Sequence, residues 1–501
     1  MEIVTFAGIF LFLYITYFYF RYFTRPNPLP GPFPLPFIGT AFQIGLDPRK
    51  WAEKNLNDSI DIWEFYVGPF RVIVPCNVKY LDKIYLLYNG AKNLSRESKF
   101  FKRGVAAYDE VGMLRGIMFN NVFHKWKRSR QFVTRILMSK KYHYGFINSV
   151  QKIFKVFEKQ WDENDITTLD FSKWVTCYKA KVTIVTIIGQ PLYNLSSFDS
   201  ISKAASEYIA LFAFLVFVPK CISNIVMLFG FNTVKKNSMF LNGTMRNIIQ
   251  NRRNEIKNGS TTSFNLLDLL LVSNSSNDSE EYIEGEQPMD DDEIENNLAE
   301  STATSIETIS NTLCFLIYNV VKNPSILEKI HAEILKIFGS DINSTITYET
   351  LESCRYIDAV VKETLRHSNP VPYNLRMLDD DERTDKFDWS PGTWFWIDHR
   401  RIMNDPNHWK EPTKFNPDRF LSEENGGTDE FSKICKNGYV PFGGGLRICP
   451  GRILALIELK MLIVLFFRKY NIELVNENEP IKYVYRATYQ VHDLMIRISQ
   501  K

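Results

Sequence analysis

From Ile3 to Phe20 no position carries a charge, and Phe, Ile, Leu, Tyr and Val dominate. At 1.5 Å per residue this run, with its flanks, crosses a hydrocarbon core of roughly 30 Å. A cleaved signal peptide needs a basic start and a small-residue cleavage site. Here Glu2 precedes the run, and Arg21, Tyr22, Phe23 and Arg25 follow it. The pattern therefore predicts a retained transmembrane helix, with Arg21 and Arg25 leaving the rest of the chain in the cytosol. Prolines at 26, 28, 30, 32, 34 and 36 then prevent helix and favour a stiff, extended spacer. Beyond it, helical spacing of apolar positions dominates, interrupted by strand-like pieces at Phe70–Val74 and Thr393–Ile397. Ser273 to Pro288 is polar and acidic and reads as an exposed loop. Asp290 to Asp292 place negative charge at the start of a helix of about thirty residues, limited by Pro324. Such a helix measures roughly 45 Å and crosses a whole domain. Tyr208 to Phe229 is apolar but broken by Pro219 and Lys220; it fits a buried helix pair and a membrane-surface flap equally well.

A length of 501 residues exceeds one ordinary core, and 45% hydrophobic with 23% charged residues is a globular composition. Sixty basic against 57 acidic side chains leave a net charge of +3, which excludes general nucleic-acid binding. The seven cysteines show no C-x-x-C pair, and an odd total suits free thiols in a reducing compartment. Asn-x-Ser/Thr sequons at Asn194, Asn242 and Asn258 are expected to stay unmodified on the cytosolic side. No internal repeat is present, and the dispersed histidines argue against a zinc site. The expected organisation is an anchor over 1–25, a proline-rich hinge over 26–40 and a catalytic domain over 41–501.

The chemistry concentrates in Pro441-Phe442-Gly443-Gly444-Gly445-Leu446-Arg447-Ile448-Cys449-Pro450-Gly451-Arg452, ahead of an apolar helical run from Ile453 to Phe467. A cysteine just before a helix N-terminus is favoured as thiolate by the dipole and nearby N–H groups. The glycines let the backbone approach a flat cofactor. Arg447 can pair with an anionic group, and Phe442 can shield the sulfur from water.

This segment resembles the ligand loop of the cytochrome P450 family, F-x-x-G-x-R-x-C-x-G, through Phe442, Gly445, Arg447, Cys449 and Gly451. The resemblance extends over nearly the whole chain. Glu363-Thr364-Leu365-Arg366 is similar to the family's E-x-x-R helix, and Pro417-Asp418-Arg419-Phe420 to its P-x-R-F element. Trp126 and Arg130 match its W-x-x-x-R helix. The resemblance implies a mainly α fold with a smaller β-rich subdomain and a long helix over the haem. It also implies haem b (iron protoporphyrin IX), with Cys449 as axial ligand and metal-binding residue. Trp126, Arg130, Arg376 and Arg447 become propionate contacts, and Glu363, Arg366 and Arg419 a structural ion network.

Within the long helix, Thr304-Ser305-Ile306-Glu307-Thr308-Ile309 resembles the family's oxygen-activation segment. Glu307 and Thr308 have the right types and order for an acid and a hydroxyl relaying protons through water. Thr304 and Ser305 stand where a small residue and a glycine are usual, and Ile309 replaces a second hydroxyl. Ser305 is expected to bond its own i−4 carbonyl and open the helix as the glycine would. The implied activity is monooxygenation of a lipophilic substrate at an endoplasmic reticulum membrane. The chain reaches Lys501 without a flavin or iron–sulfur module, so electrons are expected from NADPH–cytochrome P450 reductase. Lys125, Lys127, Arg128, Lys433, Lys436 and Arg452 are candidates for its basic docking face. By resemblance, Phe100, Phe101, Met113, Phe212, Phe217, Ser301, Thr304, Val371, Tyr373 and Tyr489 line the substrate pocket. The alternatives are an isomerase or dehydratase acting on hydroperoxides without a reductase, and a non-catalytic haem protein.

Overall fold

The computed structural model describes all residues except 1, 46, 58, 87–114, 119, 121, 164–166, 190–199, 202–203, 205–206, 208–230, 260–264, 274–288, 379–380, 435–437 and 487. The apolar stretch from Tyr208 to Phe229, nearly all of the polar loop before Pro288, Phe100, Phe101, Met113, Lys436 and Asn194 therefore lie outside the described residues. The uncharged N-terminal run is helix α1 (Glu2–Phe23), of which Val4–Phe23 is apolar and long enough to cross a membrane.

The proline-rich segment is not a free spacer. The Pro30 carbonyl accepts the Glu64 amide at 2.9 Å, Gly39 bridges to Val67, and the Thr40 hydroxyl donates to the Tyr66 carbonyl. Strand β1 (Ile62–Val67) offers an open edge, and Pro30, which cannot donate, docks there through its carbonyl, with Gly39 and Thr40 completing the contact. Strand β2 (Phe70–Pro75) pairs antiparallel with β1. The sheet continues to β4 (Trp394–Asp398), parallel to β2, and ends at β3 (Tyr373–Met377), antiparallel to β4. Both strands expected from sequence lie here side by side, β2 and β4, over 300 residues apart in the chain. Their nearly unbroken apolar runs match strands buried on both faces.

The helices that shape the site are α2 (Phe123–Met138), α3 (Asp291–Val321), α4 (Arg355–His367) and α5 (Arg452–Lys469). Helix α3 begins at a capping box, in which the Asp290 carboxylate accepts the Glu293 amide and the Glu293 side chain accepts the Asp290 amide. Its 31 residues are buried nearly all round. Ile294, Leu298, Ala303 and Ile306 belong to a core shared with the β1–β4 sheet. Ile309, Leu313, Leu316 and Val320 belong to a second core, built with α4 and α5. A helix crossing between two cores has no wet face, which explains its lack of a clean amphipathic stripe.

Candidate functional site

Cys449 precedes α5, whose N-cap is Gly451, and its amide donates to the Phe442 carbonyl at 3.0 Å. That bond closes the glycine-rich loop into a hairpin-like turn. Gly445 adopts φ +66°, and a Cβ there would collide with the Tyr85 carbonyl oxygen. Glycine is thus required twice over at this position, by conformation and by contact. Gly451, by contrast, has a φ of −83°, which any residue adopts.

Three arginines surround the loop. Arg447 is buried, donates to the Asn120 carbonyl at 2.7 Å and lies over the Trp126 ring. Arg130, one helical turn beyond Trp126 on α2, donates to the Ile448 carbonyl at 2.5 Å. Arg376, on β3, is fully enclosed, bonded to Asn374 and to the Leu375 carbonyl. Neither Arg130 nor Arg376 has a carboxylate within ion-pair distance among the described residues. Burial lowers the pKa of both guanidiniums, and Cys449 opposes that shift at Arg130. A buried cation without a counter-charge is costly; here buried Arg376 and half-buried Arg130 lie against a loop that carries a cysteine. The donor set fits a flat cofactor bearing carboxylates and a metal that accepts a soft sulfur ligand.

The Trp126 indole N–H donates to the Ile117 carbonyl at 3.0 Å. The segment around Ile117 is itself clamped by α3: Glu300 accepts the Gly116 and Met118 amides at 3.0 and 2.8 Å, and Asn297 accepts the Ile117 amide at 2.8 Å. Trp126 is thereby a platform for Arg447, positioned by α3. The sequence pointed to Trp126 but gave no sign of Glu300 or Asn297. On the far side of the loop, His399 pairs with the Tyr85 hydroxyl, and burial, with Arg376 nearby, pushes its pKa down to about 3.

Glu363, Arg366 and Arg419 form the expected network. Arg366 grips Glu363 with two bonds of 2.6 and 2.9 Å, and Arg419 reaches the same carboxylate at 3.3 Å. Their side chains are 0–1% exposed. Both guanidiniums face the Trp409 ring, and Arg419 also pairs with Glu430 at 2.8 Å.

On α3, Glu307 is buried and turned towards strand β5 (Tyr489–Val491), from which Gln490, with Thr488 just ahead of it, donates to Oε1. Burial raises its pKa, against the two donors and Arg486. The Thr308 hydroxyl donates to the Thr304 carbonyl at 2.8 Å. Ser305 differs from expectation. Its hydroxyl approaches the i−3 carbonyl of Thr302 at 3.2 Å and Thr183 at 3.0 Å, and α3 runs through it unbroken. The hydroxyl of Thr183, across the helix interface, draws it away from the i−4 position. Arg128 is engaged by Glu293 and so is not free to join a docking face, whereas Lys125, Lys127 and Lys433 are exposed.

The cytochrome P450 family model matches residues 29–489. The chain belongs to the cytochrome P450 family. Among its relatives, tabersonine 16-hydroxylase 1 of Catharanthus roseus is 28% identical over 360 residues, covering 68% of this chain and 66% of that protein. The mitochondrial sterol 26-hydroxylase of Homo sapiens is 31% identical over 189 residues, 38% of this chain and 35% of that protein. The matched stretches thus span about two thirds or less of these relatives' own lengths. The crystal structure of the cytochrome P450DA heme domain superposes with a TM-score of 0.77 at 17% identity, covering 95% of this chain and 98% of that one. That likeness establishes the P450 fold, mainly helical with small sheets.

Proposed function

We propose that this P450 is a haem-thiolate monooxygenase, with Cys449 as axial ligand to the iron of haem b. The observation that carries this reading is the ring of Arg130, Arg376 and Arg447 around the loop that presents Cys449. Bound haem would supply the activation of dioxygen, with two electrons and two protons yielding one inserted oxygen atom and one water. The three arginines would hold its propionates, and Phe442 would keep water from the sulfur. Glu307 and Thr308 move protons: the acid holds one at a carboxyl oxygen, and the hydroxyl passes it on through ordered water. The hydroxylases among the relatives favour this chemistry over hydroperoxide isomerisation.

Lipophilic substrates suit an enzyme anchored by α1 in the endoplasmic reticulum membrane with its domain in the cytosol. The anchor comprises residues 1–25 and the catalytic domain 41–501; the docked segment 26–40 fixes the pose between them. NADPH–cytochrome P450 reductase is the proposed electron donor, docking at Lys125, Lys127 and Lys433.

The test is the reduced, carbon-monoxide-bound absorption spectrum of wild type and Cys449→Ser. A red-shifted Soret band in the wild type, absent from the variant, is expected. The same band in both would rule out Cys449 as the ligand. Product formation dependent on NADPH and oxygen separates this reading from turnover of a hydroperoxide without reductant.

A further inference from the structure

The contacts of Glu307 go beyond what its position in α3 explains. Its Oε1 accepts two hydrogen bonds, from the Thr488 hydroxyl and the Gln490 side-chain amide. Its Oε2 is buried with no hydrogen-bond partner among the described residues. One turn further along α3, Asn311 accepts the Val491 amide at 2.7 Å and donates its own amide to the Glu307 carbonyl at 2.7 Å. Residues 488, 490 and 491 are thus tied to a single turn of the helix. Thr488 and Gln490, two apart on an extended chain, share one face of it. Tyr489 between them faces the other way, under the guanidiniums of Arg49 and Arg400.

We propose that Thr488 and Gln490 are positioning residues for Glu307: they fix Oε1 from the strand side and leave Oε2 as the oxygen that carries the proton. This rests on the reading of Glu307 as a proton-relay acid. The physical case is a balance. A carboxyl buried this deeply stays protonated when nothing stabilises its charged form, and so cannot cycle. Two donors aimed at one oxygen stabilise the carboxylate without occupying the other. Arg486, ahead of β5, is the charged group among the described residues that acts on it from outside the helix. Thr308 and Asn311, its neighbours on α3, carry no charge. Oε2 is then the oxygen at which a proton is taken up and from which it is released towards water beside Thr308.

The experiment uses full-length, haem-loaded protein and the variants T488V, Q490L, the double variant, T488S and E307Q. Valine is close in shape to threonine, so T488V alone carries the test should the double variant lose haem. The first readout is the carboxylic C=O stretching band of Glu307 in infrared difference spectra, assigned by its loss in E307Q and followed against pH. Losing the two donors should raise its midpoint by about one pH unit, whereas T488S should keep the wild-type value. The second readout is the share of NADPH electrons recovered in product rather than in hydrogen peroxide. That share should fall several-fold in the double variant, with the pH profile displaced in the same direction. An unmoved midpoint in a double variant whose carbon-monoxide spectrum and melting temperature match the wild type would overturn the proposal. Should E307Q itself leave coupling and pH profile unchanged, the relay reading fails and the positioning role falls with it, whatever the midpoint does.

Discussion

The guanidinium of Arg447 lies 4.1 Å from the centre of the Trp126 ring, while the indole N–H of Trp126 is committed to the Ile117 carbonyl at 3.0 Å. One residue thereby supports a buried cation with its face and anchors a loop with its edge. Trp126→Phe keeps a ring under Arg447 but leaves the Ile117 carbonyl unpaired, for an expected loss of about 1–3 kcal/mol. Trp126→Ala also empties the platform and should cost about 3–5 kcal/mol. Thermal unfolding, followed with haem retention, measures both. A wild-type melting temperature in Trp126→Ala would contradict the platform role.

Glu363 is the shared counter-charge of two arginines that water does not reach. Glu363→Gln takes the carboxylate partner from Arg366 and leaves Arg419 paired with Glu430 alone among the described residues. A loss of about 3–5 kcal/mol follows, enough to prevent accumulation of folded haem protein. Arg366→Lys should fail nearly as badly, because an ammonium cannot reproduce the two-pronged contact. Yield and carbon-monoxide difference spectra report the outcome; normal holoprotein from Glu363→Gln would refute the claim.

The two family-pattern glycines of the ligand loop should respond differently to alanine. Gly445 combines a positive φ with contact against the Tyr85 backbone, so Gly445→Ala must displace either the loop or Tyr85. Gly451 has an ordinary φ, so Gly451→Ala meets no backbone strain and should change backbone stability by under about 1 kcal/mol. Guanidinium unfolding of the two variants side by side makes the comparison, and equal losses would count against it.

His399 supplies a pH dependence. Burial and Arg376 hold its folded pKa at about 3, so the native state keeps it neutral while the unfolded chain takes up a proton near its ordinary value of 6.5. The stability from this residue is complete above 6.5 and is lost as pH falls towards 3, at about 1.4 kcal/mol per pH unit. Unfolding free energies of wild type and His399→Gln, compared from pH 7 to pH 4.5, should therefore diverge from the neutral-pH difference with that slope. A constant difference would show that His399 is not held neutral.

Features with a local cause could be read from the sequence. The uncharged run of α1, the negative charge of Asp290 to Asp292 at the start of α3, the proline that follows α3 and the glycine-rich loop before α5 each rest on neighbours within a few residues. The i,i+3 spacing of Glu363 and Arg366 likewise placed both on one helix face before any fold was known. The expected bend at Ser305 failed for a non-local reason, since Thr183, from another helix, takes its hydroxyl. The docking of residues 26–40 was not legible for a similar reason, because the edge of β1 that captures them is not visible in the prolines themselves.

The side chains that hold Glu307 lie 181 and 183 residues downstream of it, and Glu300 clamps Gly116 across 184. Nothing in a linear pattern links such positions. Local periodicity and motif spacing settled which side chains could do chemistry, because helix geometry and backbone conformation act over a few residues. Which buried donors and counter-charges surround those side chains was decided only when chain closure brought distant segments into one water-poor interior. There the cost of leaving a polar group unpaired selects its partners by proximity in space, not in sequence.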